Sequence, residues 1–234
     1  MDQLRTYGDK RELACCVYCG SGAVETRDHV PSRVLLDEPY PSNLPVVPAC
    51  GMCNQGFSLD EEYLACLVEC VICGSSAPNL VTRPKVRRIL ADRPALAAQL
   101  AEARMQAEST TCFGIEDDRV RKVVLKLARG HAAFELHSPQ FDEPREIVTV
   151  PLQVMSFEAR SAFERHPGTS SVAFWPEVGS RAMQRRIGIG ETSATGWITA
   201  QQGRYRYFAA STDQGIVVRS VLSEYLACEV IWSN

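Results

Sequence analysis

The chain has 234 residues, of which 45% are hydrophobic and 23% are charged, and its formal net charge is −3. These values are ordinary for a globular protein with a sizeable core, and no apolar run approaches the roughly 18 residues that a membrane-spanning helix needs. Residues 1–12 are polar and do not resemble a signal peptide, so we expect a cytoplasmic protein with no membrane partner.

Cysteine spacing indicates a zinc site in the first quarter of the chain. Six of the ten cysteines form three Cys-x-x-Cys pairs: Cys16 and Cys19, Cys50 and Cys53, and Cys70 and Cys73. In a chain without a secretion signal, this spacing is typical of zinc ligands rather than of disulfides. The thiolates of the first two pairs would complete the tetrahedral coordination of a structural zinc ion, which would hold this proline-rich stretch in one shape.

The third pair, Cys70 and Cys73, is interpreted differently. Together with Cys66 these residues keep helical spacing, and no fourth ligand for a metal is obvious. Buried helix residues are favoured over a second metal site. The other cysteines are interpreted as small buried hydrophobic residues: Cys15, Cys112 and Cys228.

Short strands and one helix are predicted around the first two pairs. Turn-forming residues are dense in 16–54, strands are expected near 27–30 and 44–47, and a capping box of Ser58 and Glu61 begins a helix that ends at Gly74. The turn-rich residues 75–80 are the best candidate for a domain boundary. We therefore predict an N-terminal domain over residues 1–78 and a second domain over residues 79–234.

The second domain is predicted to combine helices with a small antiparallel sheet, which makes the fold class α+β. The expected helices cover 84–107, with a break at Pro94, then 117–136 and 157–166. The expected strands cover 147–150, 172–175, 196–201, 205–209 and 216–221. Turn signals at Gln202-Gly203 and Asp213-Gln-Gly215 join the last three strands into a meander.

A short motif lies between the first two cysteine pairs and continues just beyond them. It consists of Asp28-His29-Val-Pro31, then Asn43-Leu44, then Asn54 directly after Cys53. Over residues 16–60 this order resembles the HNH endonuclease family, in the version whose treble-clef or ββα-metal hairpin is braced by a structural zinc. The resemblance implies an endonuclease that hydrolyses DNA by a one-metal mechanism, with a possible function in restriction or phage defence.

The resemblance also implies roles for individual residues. His29 would be the general base, Asp28 and Asn54 would bind a catalytic magnesium or manganese ion, and Asn43 would orient the loop that carries the base. The chemistry agrees, because a neutral imidazole titrates near the working pH and oxygen ligands suit hard cations. Many family members have histidine at the position of Asn54, but asparagine keeps an oxygen ligand there.

Other interpretations of the same residues stay open. His29 is alternatively a ligand of a different zinc set or a packed core histidine, Asn54 is alternatively a helix cap, and Asn43 is common in ordinary turns. A non-catalytic zinc module that binds nucleic acid or protein would need the cysteines but no catalytic residues. A redox protein is disfavoured, because here two Cys-x-x-Cys pairs flank a hairpin.

Charge is distributed unevenly along the chain. Residues 1–80 hold 5 Lys and Arg against 11 Asp and Glu, whereas the remainder holds 20 against 17. Basic residues cluster just after the hairpin as Arg83, Lys85, Arg87 and Arg88, and we expect this cluster to contact phosphate, with a solvated helix face as the alternative. The expected partners are nucleic acid, with DNA favoured over RNA, and a protein bound through the C-terminal part.

Overall fold

The computed structural model describes residues 14–107, 110–165, 180–186 and 196–233. These residues form a mixed α+β fold of helices and antiparallel strands, which confirms the predicted class. No helix among them is long and apolar enough to cross a membrane.

The N-terminal region is built on two short strands, β1 (Thr26–His29) and β2 (Val46–Ala49), which pair in antiparallel fashion. Side chains alternate along a strand, so Asp28 is buried whereas His29 is half-exposed on the opposite face. Helix α1 (Gly51–Gly56) follows β2 directly. The predicted order of strand, strand and helix is therefore present.

Helix α2 (Ser58–Cys73) is buried along most of its length and ends at Gly74, whose φ of 66° is the left-handed conformation that glycine adopts without strain. The capping box predicted at its start is wrong. Ser58 Oγ donates to a main-chain carbonyl of α1, and Glu61 turns inward at 7% exposure. The carboxylate of Glu61 binds the buried ammonium of Lys126, a tertiary contact that replaces the local cap.

Two short helices follow, α3 (Pro84–Asp92) and α4 (Pro94–Glu102), and each has proline in its first turn. Pro94 divides the predicted helix as expected, because proline fits the first helical position but not the interior. Residues 104–107 are not helical, contrary to the prediction. They form β3 (Arg104–Ala107), which pairs with β4 (Thr110–Phe113), whose threonines and phenylalanine favour a strand.

Helix α5 (Asp117–Leu136) has the bounds that the sequence predicts. It packs against α2 on one side and against the C-terminal sheet on the other. At Gly130 it lies so close to the end of β1 that an added Cβ would stand 2.6 Å from Val30 Cγ2. The absence of a side chain at Gly130 therefore lets α5 approach the hairpin.

The C-terminal sheet consists of β5 (Glu146–Pro151), β6 (Ile198–Gln201), β7 (Tyr205–Thr212), β8 (Gly215–Leu222) and β9 (Leu226–Trp232). The strands are antiparallel in the order β5-β9-β8-β7-β6. Strand β9 was not predicted, and the strand predicted at 172–175 lies outside the described residues.

The two faces of this sheet are both covered. One face packs on α5, and the other carries a smaller core beneath α6 (Phe157–Glu164), formed in part by Phe163, Trp197 and Phe208. A short helix, α7 (Arg181–Arg186), also contacts α5. The larger core contains residues from both sides of residue 79, for example Tyr63 and Leu127.

Candidate functional site

The first two cysteine pairs meet in space, as their spacing predicts. The sulphur atoms of Cys16, Cys19, Cys50 and Cys53 all lie within 4.8 Å of one another. Cys19 Sγ and Cys50 Sγ are 3.8 Å apart, which suits two thiolates on a tetrahedral zinc ion. These four cysteines form a cluster that can hold a structural metal such as zinc.

Two backbone turns position the four thiols. The N–H of Gly20 donates to the carbonyl of Cys16 at 2.8 Å, and Cys50 is the N-cap of α1, where its sulphur accepts from the N–H of Cys53. That hydrogen bond lowers the pKa of Cys50 to about 7. Burial and the neighbouring thiols raise the pKa of Cys53, so the four thiols need a cation before all of them can ionise.

The other cysteines lie outside this cluster. Cys66 and Cys70 are buried in α2, and burial raises the pKa of each to about 12. Within the described part of the chain, they do not join Cys73 in a group that can hold a metal. The predicted burial is confirmed for Cys228. For Cys112 the prediction is wrong, because the β3–β4 pair lies at the surface and leaves this residue exposed.

His29 is the last residue of β1 and lies on the outer face of the hairpin, the face that also carries Arg27. Its Nε2 is 3.1 Å from Arg33 Nη2. Because arginine can only donate, Nε2 accepts and the ring proton belongs on Nδ1. Burial, and then the charge of Arg33, lower the pKa of His29, so the ring is neutral near pH 7. A neutral, half-exposed imidazole can serve as a general base.

Asp28 lies on the opposite, buried face of the hairpin. Its Oδ2 accepts from Tyr18 OH at 2.7 Å and from Lys126 Nζ at 2.6 Å. The same ammonium contacts Glu61 Oε1 at 2.6 Å and Ser32 Oγ at 2.7 Å. We call these five side chains the Lys126 network.

Nothing in the predicted site anticipates the Lys126 network. Lys126 is only 2% exposed, and it lies three residues after Val123 and one before Leu127, on the inner face of α5. A lysine on an apolar helix face indicates a buried carboxylate partner, because an unpaired buried charge is costly. That signal would have singled out Lys126, but not the carboxylates that it meets.

Asn54 and Asn43 lie in different settings. Asn54, in α1, donates from Nδ2 to Thr26 Oγ1 at 3.1 Å. Thr26 shares the inner face of β1 with Asp28, so the amide of Asn54 is fixed on the same side of the hairpin as Asp28. Asn43 is exposed in the turn before β2, a usual place for asparagine.

Asp28 and Asn54 lie on this side of the hairpin, and each offers an Oδ1 atom of the type that binds hard divalent cations. Oxygen donors of these types suit magnesium or manganese. The other oxygen of Asp28 is bound by Tyr18 and Lys126. The ammonium of Lys126 would repel a second cation on the same carboxylate, which weakens such a site.

The basic cluster after the hairpin is largely used inside the protein. Arg83 is 3% exposed, and it donates to Asp37 Oδ1 at 2.8 Å and to main-chain carbonyls of residues 34–36. Lys85 donates to main-chain carbonyls of residues 33–36. The expectation that Arg83 contacts phosphate is therefore wrong, because its guanidinium is buried against the segment that follows β1. The other two members, Arg87 and Arg88, are exposed.

Basic residues further along the chain also pair with carboxylates. These pairs are Arg119 and Lys122 with Asp60, Arg204 with Asp37, and Arg206 with Glu164 and Glu224. Near His29, by contrast, the guanidinium groups of Arg27 and Arg33 are exposed.

Comparisons of the chain with protein families, with characterised proteins and with solved structures found no significant match. The function therefore has to be argued from the geometry of the hairpin.

Proposed function

We propose that the chain is a metal-dependent endonuclease that hydrolyses phosphodiester bonds in DNA on an HNH-type hairpin stapled by zinc. The observation that supports this best is the pair formed by His29 and Arg33. A neutral imidazole and an exposed guanidinium lie 3.1 Å apart on an accessible face of the hairpin. Phosphodiester hydrolysis needs both a base for water and positive charge near the phosphate.

The catalytic roles follow the family resemblance, with His29 on the outer face of the hairpin and Asp28 on its buried face. His29 would accept a proton from water at Nε2. Asp28 and Asn54 would hold a magnesium or manganese ion, which when bound stabilises charge on the leaving oxygen. Asn43 would orient the loop between the strands, a role taken from the family resemblance.

The Lys126 network favours a second candidate function, a zinc-stapled module that binds nucleic acid or protein without cutting it. In that case Asp28 is the internal counterion of Lys126 rather than a metal ligand. The contacts of Asp28 with Lys126 and Tyr18 support this alternative, because they already satisfy one oxygen of a buried carboxylate.

Plasmid nicking separates the two candidates. Supercoiled DNA would be incubated with wild type and with His29→Ala in magnesium, in manganese, and in a chelator mild enough to spare the zinc. We expect metal-dependent nicking by wild type and a loss of about a hundredfold or more in rate for His29→Ala. The matched control is His137→Asn, because His137 is a half-exposed histidine and asparagine tolerates its φ of 55°.

The outcomes point in different directions. Nicking by His29→Ala at the wild-type rate would reject His29 as the base. If the wild-type protein binds DNA but does not cut it in the presence of any divalent ion tested, the interaction module would be favoured. Zinc content measured on every variant shows whether the hairpin is intact.

A further inference from the structure

The segment that follows β1, residues 33–40, is fixed from the inside and presents one cation outward. Lys85 Nζ donates to the carbonyl of Arg33 at 2.9 Å, and Arg83 Nη2 donates to the carbonyl of Leu36 at 3.1 Å. These contacts hold the main chain of the segment and do not involve the side chain of Arg33. The guanidinium of Arg33 is exposed, with Nη2 beside His29 Nε2.

Tyr40 provides an aromatic surface behind this guanidinium. Arg33 Cζ lies 5.4 Å from the centroid of the Tyr40 ring, and Lys85 Nζ lies 4.3 Å from it. The hydroxyl of Tyr40 donates to Glu38 at 3.0 Å and also contacts Lys85, so the ring is held in place. An arginine that packs on an aromatic face keeps its N–H edge available for an anion.

Arg27 extends the positive charge along the outer face of the hairpin. It lies two residues before His29 on the same strand face, a separation of about 7 Å along the strand. A groove of about 290 Å³ runs along this part of the hairpin, between Glu25 and Arg27 on one strand and Val46 and Pro48 on the other. Cations thus stand on both sides of His29, whereas Arg83 and Lys85 of the cluster predicted to bind phosphate donate to main-chain carbonyls inside the protein.

We propose that Arg33 is the phosphate-binding residue of this site, and that its guanidinium binds the DNA phosphodiester on which His29 acts. Arg27 would contact a neighbouring phosphate of the same strand. A guanidinium binds phosphate oxygens through two parallel N–H bonds, and a phosphate that accepts these bonds draws Arg33 away from Nε2 of His29. The inference rests on the proposed nuclease function, but its test does not require cleavage.

The test is DNA binding without added divalent ions, measured by fluorescence anisotropy of a labelled duplex over a range of salt concentrations. We expect Arg33→Gln to weaken binding about tenfold or more and to lower the slope of log K against log salt by about one. Arg33→Lys should keep the slope and recover only part of the affinity, because lysine lacks the two-pronged geometry. The control is Arg160→Gln, which removes the same charge from an exposed position on α6.

Three results would overturn the inference. They are no binding of the duplex by wild type at low salt, wild-type binding by Arg33→Gln, and an equal loss in Arg160→Gln. The side-chain contacts that the structure gives Arg33 are with His29 and Tyr40, so these variants should fold, which zinc content and thermal unfolding check. Loss of binding confined to the Arg33 variants, in a protein that nicks no plasmid, would support Arg33 as a phosphate-binding residue and reject the proposed nuclease.

Discussion

Asp28 and Glu61 are two buried carboxylates that share one ammonium, that of Lys126. Hydroxyl groups of Tyr18 and Ser32 donate to the same carboxylates. Burial, and then Asp28, raise the pKa of Tyr18, which keeps the phenol protonated as a donor. The arrangement satisfies the carboxylates only while Lys126 stays in place.

Replacement of Lys126 by methionine should therefore be costly. Lys126→Met would leave two carboxylates buried without their cation, which should reduce the free energy of unfolding by about 3–5 kcal/mol. The control is Lys122→Met, because Lys122 pairs with Asp60 at 48% exposure and such a pair contributes at most about 1 kcal/mol. Urea unfolding of both variants measures the difference, and similar midpoints for the two would contradict the importance of the network.

Asn54 allows a test of the proposed catalytic cation. Asn54→Ala removes one proposed oxygen ligand, whereas Asn54→His supplies the imidazole that is common at this position in the HNH family, which the motif resembles. Loss of even an outer partner of a metal ligand typically costs about tenfold to a hundredfold in metal affinity. We therefore expect Asn54→Ala to need at least about tenfold more manganese for half-maximal nicking, and Asn54→His to retain part of the activity.

Manganese binding followed without DNA provides the check on this prediction. If Asn54→Ala bound manganese as tightly as wild type, Asn54 would not be a ligand. Its hydrogen bond to Thr26 would then be its role in the hairpin.

The contacts of single residues could be predicted from the sequence only where the contacting residues lie close together in the chain. The meeting of the four cysteines was predicted correctly, because Cys-x-x-Cys spacing itself encodes the turns that bring the thiols together. The charged partner of Asp28 lies 98 positions further along the chain, on a helix whose packing against the hairpin no local pattern fixes. A separation of 46 positions likewise hid the burial of Arg83 against Asp37.

At the scale of elements, a metal at the four-cysteine cluster would add to the stability that the hairpin gains from Val30, Val47 and Ala49 in the main core. Strands β1 and β2 have four residues each, and two short strands alone are marginally stable in water. A metal at the cluster would join the turn before β1 to the start of α1. Binding of the metal and folding of the hairpin should therefore be coupled.

This coupling predicts different outcomes for two cysteine replacements. Cys50→Ser should lose the zinc and unfold the region from Cys16 to α1, because it removes a thiolate from the cluster. Cys112→Ser is the matched control, since Cys112 is exposed and lies outside the cluster. Elemental analysis of protein purified without chelator would show about one zinc per chain for wild type and the control. Zinc-free wild type, or zinc retained by Cys50→Ser, would contradict the assignment.

Elements with a clear period were predicted well, and those that depend on pairing were not. Helix α5 has the predicted bounds because its valines and leucines recur at helical spacing. Strand β3 was taken for helix, since alanine and glutamate before it favour helix and only its pairing with β4 makes it a strand. Strand β9 was missed for a similar reason. It is stabilised by hydrogen-bonded pairing with β5 and β8, and no turn signal in the sequence marks it.

At the scale of the whole molecule, Asp37 connects the segment after β1 to the C-terminal sheet. Its carboxylate pairs with Arg83 and with Arg204, and its main chain exchanges two hydrogen bonds with the side chain of Gln201. Burial opposes its ionisation, but the hydrogen bonds and charges of Arg83 and Arg204 outweigh burial and lower the pKa of Asp37.

Because its pKa is lowered, Asp37 should stabilise the protein more at neutral pH than in acid. A carboxylate with a depressed pKa stabilises the folded state at neutral pH, and this contribution is lost as pH falls through the folded-state pKa. The side chain of Asp37 is one-third exposed, so Asp37→Asn should cost only about 1 kcal/mol at pH 7.

Urea unfolding of wild type and Asp37→Asn between pH 7 and about pH 3 checks this prediction, because aspartate titrates near pH 4 when unfolded. The difference between the two should shrink toward the acid end. Asp92→Asn, at an exposed position of α3, is the control. A constant or growing difference in acid would show that the charge of Asp37 is not what stabilises this connection.

Because α5 lies close to the hairpin at Gly130, we expect the two to unfold together. Helix α5 touches α2 and β2 on one side and β7 and β8 on the other, so neither region can separate without exposing the helix to water. Amide protons of β1 and α5 should therefore exchange with deuterium through one shared opening reaction, with similar free energies. A protease would then act on both regions together, and digestion would release no folded fragment that retains His29 and the four-cysteine cluster.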